Sequence, residues 1–189
     1  YGFFLPHKGL PELVTAISLL RQDGRDVRLN MVNAEYPIGE SAALVAQVKD
    51  LVRQLGVGDR VDMCTDFLDD HDSLAKLDAA DLIVFPYQNT GESASGAVRY
   101  GLASGRPVAV TPLAIFDDVS RVTFRFDGQS PREIADGIAR LMDEIDAGGA
   151  GRVEQVRAEA QRWRASHRYS RLGERLLNMM SALHTARLS

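Results

Sequence analysis

The chain has 189 residues, enough for one domain with a substantial core. Hydrophobic residues make up 45% and charged residues 25%, as in ordinary globular proteins, and the formal net charge of −4 argues against a broad nucleic-acid-binding surface. A single cysteine, Cys64, excludes an internal disulfide and fits a reducing compartment, and no apolar run approaches the roughly 20 residues that cross a bilayer.

Strand and helix signals alternate along the chain. Residues 1–5 read as the end of a strand whose beginning is missing, without the basic start and apolar stretch of a signal peptide, so a fragment is expected. Leu10, Leu13, Val14, Ile17 and Leu20 are spaced for one helix face. A short strand is predicted over 27–32 after the Asp23-Gly24 turn. A second helix follows through Leu44, Val48, Leu51, Val52 and Leu55, with Gly56 where a C-terminal cap belongs. Next come a brief strand over 61–64, a short helix over 72–77, and the continuous apolar run 82–85, the pattern of a strand covered on both faces.

A helix over 95–104, a strand over 107–111 and a strand over 122–126 complete the alternation. Ser130-Pro131-Arg132-Glu133 carries a capping serine, a first-turn proline and a glutamate at the third position, which together start a helix. Ile134, Ile138, Leu141, Met142 and Ile145 give it a buried face, and the glycine-rich run 148–151 breaks it. Two further helical patterns cover 153–163 and 172–183, where Trp163 and the methionines near Met179 read as packing residues.

Such alternation predicts an α/β fold, a Rossmann-like doubly wound parallel sheet with helices on both faces. Ligands in these sheets bind beyond the carboxyl ends of the strands, here the loops over 4–9, 33–40, 65–70, 86–95 and 111–118.

Two of these loops carry candidate chemistry. In Gly2-Phe-Phe-Leu-Pro-His-Lys-Gly9 a strand end turns into a helix start, where free N–H groups and Lys8 suit phosphate; a plain surface turn with an exposed lysine explains the same residues. After the 82–85 strand, Gly91, Ser93, Ser95 and Gly96 allow close backbone approach, and a helix start follows. There Glu92 either accepts from sugar hydroxyls or merely favours the helix dipole. No Gly-Lys-Ser/Thr follows Gly91 and Gly96, no G-x-G-x-x-G occurs and no G-x-S-x-G occurs, so a Walker loop, a dinucleotide fingerprint and a nucleophile elbow are rejected. His7, His71, His167 and His184 show no zinc spacing. The acidic group Asp66, Asp69, Asp70 and Asp72 fits a solvated loop or a cation site, and Asp117 and Asp118 are similarly ambiguous.

Read together, three segments resemble the C-terminal domain of GT-B glycosyltransferases, the large retaining family four also described as glycosyl transferases group 1. Gly2 to Gly9 is similar to the family's turn with an arginine early and Lys-Gly at its end. Asp81-Leu-Ile-Val-Phe-Pro86 is similar to its buried strand. Glu92 through Thr111 is similar to its signature of two glutamates, small residues and Gly-x-Pro-Val. The order and separations also fit, so the resemblance spans essentially the whole chain.

The resemblance implies one nucleotide-sugar donor-binding domain over 1–189, with terminal helices at about 152–186 and the N-terminal acceptor domain absent. It implies sugar transfer with retention from a UDP- or GDP-sugar to a glycan or lipid-linked acceptor, with no cofactor, no metal and no nucleic-acid partner. Such a hexosyltransferase-like fragment alone is expected to bind donor weakly and transfer little. A cytoplasmic location is implied, with peripheral contact at the inner face of a membrane left open.

By the same resemblance Glu92 is the catalytic carboxylate and Lys8, beside Gly9, binds the diphosphate. Ser95, Gly96 and Ala97 form the phosphate-holding turn, and Arg99 or Arg106 could add charge. The chain departs from the pattern at Phe3, where arginine is usual, and at Tyr100, where a ribose-binding glutamate is usual and the tyrosine hydroxyl is expected to bind the nucleotide instead. A nucleotide-sugar epimerase of the same fold, sharing the donor site, is one alternative, and the departures at Phe3 and Tyr100 leave open a degenerate non-catalytic binding domain.

Overall fold

The computed structural model describes residues 1–148 and 151–188. Six strands and seven α-helices follow one another in the order β1 (Gly2–Phe3), α1 (Leu10–Gln22), β2 (Leu29–Ala34), α2 (Gly39–Gln54), β3 (Val61–Cys64), α3 (Asp70–Asp78), β4 (Ile83–Phe85), α4 (Gly96–Ser104), β5 (Val108–Val110), β6 (Phe124–Arg125), α5 (Pro131–Asp146), α6 (Arg152–Ser166) and α7 (Tyr169–Leu188). Short 3-10 turns lie at Pro6–Lys8 and Ala114–Val119. Gly149 and Ala150, inside the predicted helix-breaking run, lie outside the described residues.

All strand pairs are parallel, as alternating strand and helix requires. They form two three-stranded sheets, ordered β1-β2-β3 and β4-β5-β6, the Rossmann-like α/β arrangement that the alternation predicts. The ladder of β1 with β2 pairs Gly2 with Asn33 and Phe3 with Ala34. A cavity of about 750 Å³ is lined by residues of both sheets, among them Leu29 and Met31 of β2 and Ile83 and Phe85 of β4.

Helix α1 joins two parts of the core. Leu13, Ala16, Ile17 and Leu20 pack with Phe124 and Phe126 and with Ile134 and Ile138 of α5. Leu10 and Val14 pack with Phe4, Met31 and the buried side of α2. A third apolar cluster binds Ile83, Phe85 and Tyr87 to Val98 and Leu102 of α4 and to Phe116. Gly101 lets α4 approach the sheet, because a Cβ there would stand 2.9 Å from the Phe85 ring. On the outer side α1 and α5 are tied by Arg132 to Asp23 at 2.6 Å and by a two-pronged Arg25–Asp143 pair.

Several element boundaries shift from the sequence expectation. Strand β2 begins at Leu29 rather than residue 27, and α3 begins at Asp70, because Asp69 caps it by accepting from Asp72 N–H at 2.8 Å. The fully buried strand is β5, Val108–Val110; in β4 the central Val84 is only half-buried. The methionines of α7 differ from the expectation of packing residues: Met179 and Met180 are 64% and 59% exposed, and Leu172, Leu176, Leu177 and Leu183 are exposed with them. Trp163 does pack, against the cluster around β4 and α4. Among the described residues no helix is long and apolar enough to cross a membrane.

Candidate functional site

The β1–α1 turn is built to approach the β4–α4 loop. Pro6–Lys8 forms one 3-10 turn, and Gly9 then takes the left-handed conformation, φ +68°, before α1 starts. A Cβ at Gly9 would stand 1.8 Å from the Pro86 carbonyl oxygen, so only glycine permits this approach. Gln88 N–H donates to the His7 carbonyl at 2.9 Å, fastening the two loops.

This contact brings Lys8 to Glu92 across 84 positions of sequence. Lys8 Nζ donates to Glu92 Oε2 at 3.2 Å and sits 4.1 Å from the centroid of the Tyr87 ring. The ammonium side chain is 11% exposed and the carboxylate 44%, so the pair opens to solvent on the carboxylate side. His7 Nε2 lies 3.3 Å from Glu92 Oε1 but makes no hydrogen bond among the described residues, and its ring meets Tyr87 edge-on. Burial, and then the charge of Lys8, hold the His7 imidazole below its ordinary pKa against the opposing pull of Glu92.

Tyr87 anchors the far side. It is buried, its hydroxyl is 3.0 Å from Ser95 Oγ, and its carbonyl accepts from Thr111 Oγ1 at 2.7 Å. Ser95 caps α4, accepting from Val98 N–H at 3.4 Å. Gly96 and Ala97, the first two helical residues, keep N–H groups that helix geometry leaves without an intrahelical acceptor. Ala97 also stands against β1, 3.5 Å from where a Cβ of Gly2 would lie.

Seven residues singled out in the sequence thus fall into two groups. Lys8, Gly9, Glu92, Ser95, Gly96 and Ala97 converge at the carboxyl ends of β1 and β4, while Tyr100, one turn along α4, is turned elsewhere. Its ring lies 5.4 Å from that of Tyr1 and its hydroxyl donates to Asp70 Oδ1 at 2.7 Å. Arg99 is occupied by the Ser95 carbonyl at 2.8 Å and Asp118 at 2.5 Å, and Arg106 pairs with Asp78. Phe3 meets Tyr36 edge-on at 5.0 Å and Phe67 in a stacked arrangement at 6.1 Å.

Sequence reasoning passed over Tyr87 and gave Asp70 no individual role. The position of Tyr87 directly after Pro86, at the end of the buried strand, was the available signal for it. Of the acidic group, Asp69 is the α3 cap, Asp70 accepts from Tyr100, and Asp72 faces His71 Nδ1 at 3.2 Å. Ligand atoms of Asp69, His71 and Asp72 lie within 4.8 Å of one another, all on exposed residues.

A family model described as glycosyl transferases group 1 matches residues 2–144. No curated protein sequence matches the chain. Among solved structures, sucrose-phosphate synthase from Thermosynechococcus elongatus superposes with a TM-score of 0.74 at 20% identity, covering 97% of this chain and 44% of that one. The Anabaena protein HepE in complex with UDP-glucose gives 0.74 at 19% identity, covering 96% and 48%. The C-terminal domain of a glycosyl transferase group 1 family protein, LpcC, from Francisella tularensis gives 0.67 at 15% identity, covering 85% and 79%. The chain therefore spans less than half the length of the first two of these proteins.

Proposed function

Since this chain belongs to the glycosyl transferases group 1 family, we propose that it is the donor-binding domain of a glycosyltransferase that moves a sugar, with retention, from a nucleotide diphosphate sugar to an acceptor. Residues 1–189 are that domain, with terminal helices at about 152–186, and a separate N-terminal domain holds a glycan or lipid-linked acceptor across a cleft. Proteins of this fold twice as long as the chain, one of them in complex with UDP-glucose, support that division and a UDP- or GDP-sugar as donor.

The observation that carries the reading is the Lys8–Glu92 pair beside the start of α4. As the bond from the anomeric carbon to the diphosphate breaks, negative charge grows on the leaving phosphate. Lys8 and the free N–H groups of Gly96 and Ala97 stabilise that charge where it develops. A bound diphosphate takes over Lys8 and releases Glu92, whose carboxylate then faces the sugar hydroxyls. Closure of the cleft excludes water and limits hydrolysis of the donor, so the isolated domain binds donor but transfers little.

The test is an NMR and calorimetric titration with UDP, GDP and ADP. One nucleotide binds, and Lys8→Ala weakens it by about tenfold or more, as expected for a hydrogen bond to a charged group. Glu92→Ala leaves nucleotide affinity nearly unchanged but weakens the intact nucleotide sugar. Equal binding by wild type and Lys8→Ala removes the diphosphate assignment.

A further inference from the structure

Among the described residues one buried side-chain polar atom has no hydrogen-bond partner, Nε2 of His7. It lies 3.3 Å from Glu92 Oε1, while Lys8 Nζ donates to Glu92 Oε2 at 3.2 Å. Consecutive residues of one 3-10 turn thus face the two oxygens of one carboxylate, and of the two only the lysine bonds to it. Native folds pair nearly all such buried atoms, so an unpaired one beside an acceptor calls for a reason.

The imidazole does not depend on Lys8 for its place. The His7 carbonyl accepts from Gln88 N–H at 2.9 Å, which fixes the backbone, and the ring meets Tyr87 edge-on with centroids 6.1 Å apart. Tyr87 is buried, with its hydroxyl 3.0 Å from Ser95 Oγ. Glu92 is also anchored at its backbone, where its N–H donates to Thr90 Oγ1 at 3.1 Å. The ring and the carboxylate therefore stay within reach of each other when the lysine is drawn away.

Charge decides which group Glu92 takes. The charges acting on the ring are Lys8, from its own turn, and Glu92, from the β4–α4 loop; Tyr87, at the end of β4, is its other titratable neighbour. With Lys8 on the carboxylate, burial and then the lysine keep the imidazole neutral against the pull of Glu92. A diphosphate on Lys8 cancels that positive charge and leaves Glu92 without a cation. Nε2 is placed to supply one.

We propose that His7 is a positioning residue for Glu92: once a diphosphate engages Lys8, the imidazole takes a proton from solvent and Nε2–H donates to Glu92 Oε1. The inference rests on the donor reading above and extends it to a residue outside the diphosphate contact. The new bond replaces the one given up by Lys8, leaves Oε2 open toward the sugar, and holds the carboxylate against repulsion from the phosphates. One proton enters with the ligand, so affinity grows as pH falls between the points at which the free and the bound imidazole titrate.

The test follows the His7 ring by NMR as pH is varied, its signals identified by their loss in His7→Gln. Compared are free wild type, wild type saturated with UDP, GDP or ADP, whichever binds most tightly, and ligand-free Lys8→Ala. The ring titrates at higher pH in the last two than in the first. With ligand a slowly exchanging Nε2 proton appears in wild type, and it is absent in Glu92→Gln. Affinity rises from about pH 8 to about pH 6 more steeply for wild type than for His7→Gln, by at most about tenfold per pH unit. An unchanged amide spectrum away from the turn shows Lys8→Ala folded. A ring that titrates alike in all three states overturns the inference, and the donor reading stands if Lys8→Ala still abolishes nucleotide binding. A slow Nε2 proton that persists in Glu92→Gln also overturns it, because the imidazole then bonds to the phosphate instead. Failure of wild type to bind any of the three nucleotides overturns both readings.

Discussion

Lys8, Glu92 and His7 form a small electrostatic problem whose solution depends on what else is present. Lys8 is almost enclosed by Tyr87 and Glu92, and its charge and the surrounding burial leave His7 with a lowered pKa. A base whose folded pKa lies below its ordinary 6.5 takes up protons more readily in the unfolded chain. Its contribution to stability is therefore complete above about pH 6.5 and falls as the solution is acidified below it. Thermal midpoints from pH 7.5 down to pH 5 should decline more steeply for wild type than for His7→Gln. Parallel curves would show that this imidazole does not titrate differently on folding. The lysine and the glutamate were legible in the sequence by their places in two loops. That they touch was not, because the contact depends on Gly9 admitting the Pro86 carbonyl.

The elements were legible where local chemistry is strong. Ser130 and Glu133 form both arms of the predicted capping box: Ser130 Oγ accepts from Glu133 N–H at 3.3 Å and Glu133 Oε2 accepts from Ser130 N–H at 3.0 Å. The hydrogen bonds from Ser130 hold the Glu133 carboxyl below its usual range. Ser130→Ala should lower stability by about 1 kcal/mol, read as a shift in the denaturant midpoint with unchanged slope. A shift indistinguishable from zero would mean that α5 is held by its packing on α1 alone. Boundaries were less legible where the cap precedes the apolar pattern, as at α3, whose start Asp69 sets two residues before the expected position. Buried and exposed helix faces also look alike when both are apolar. The α7 methionines have the composition of a core, and only their accessibility shows otherwise.

At the scale of the whole molecule, helix α1 joins the two sheets: Leu13, Ile17 and Leu20 pack with Phe124, Ile134 and Ile138, while Leu10 and Val14 pack with Phe4 and Met31.

The order of strands and helices, their parallel pairing, the α5 cap and the residue types of both loops were determined by the sequence itself. They follow from apolar period, turn residues and short-range hydrogen bonds, all of which act within a few positions. The tertiary structure alone decided that Lys8 meets Glu92, that Tyr87 backs them, and that Tyr100 reaches Asp70. Those outcomes depend on how closely two backbones can approach, as at Gly9 and Gly101, and steric contact between distant segments has no signature in local sequence.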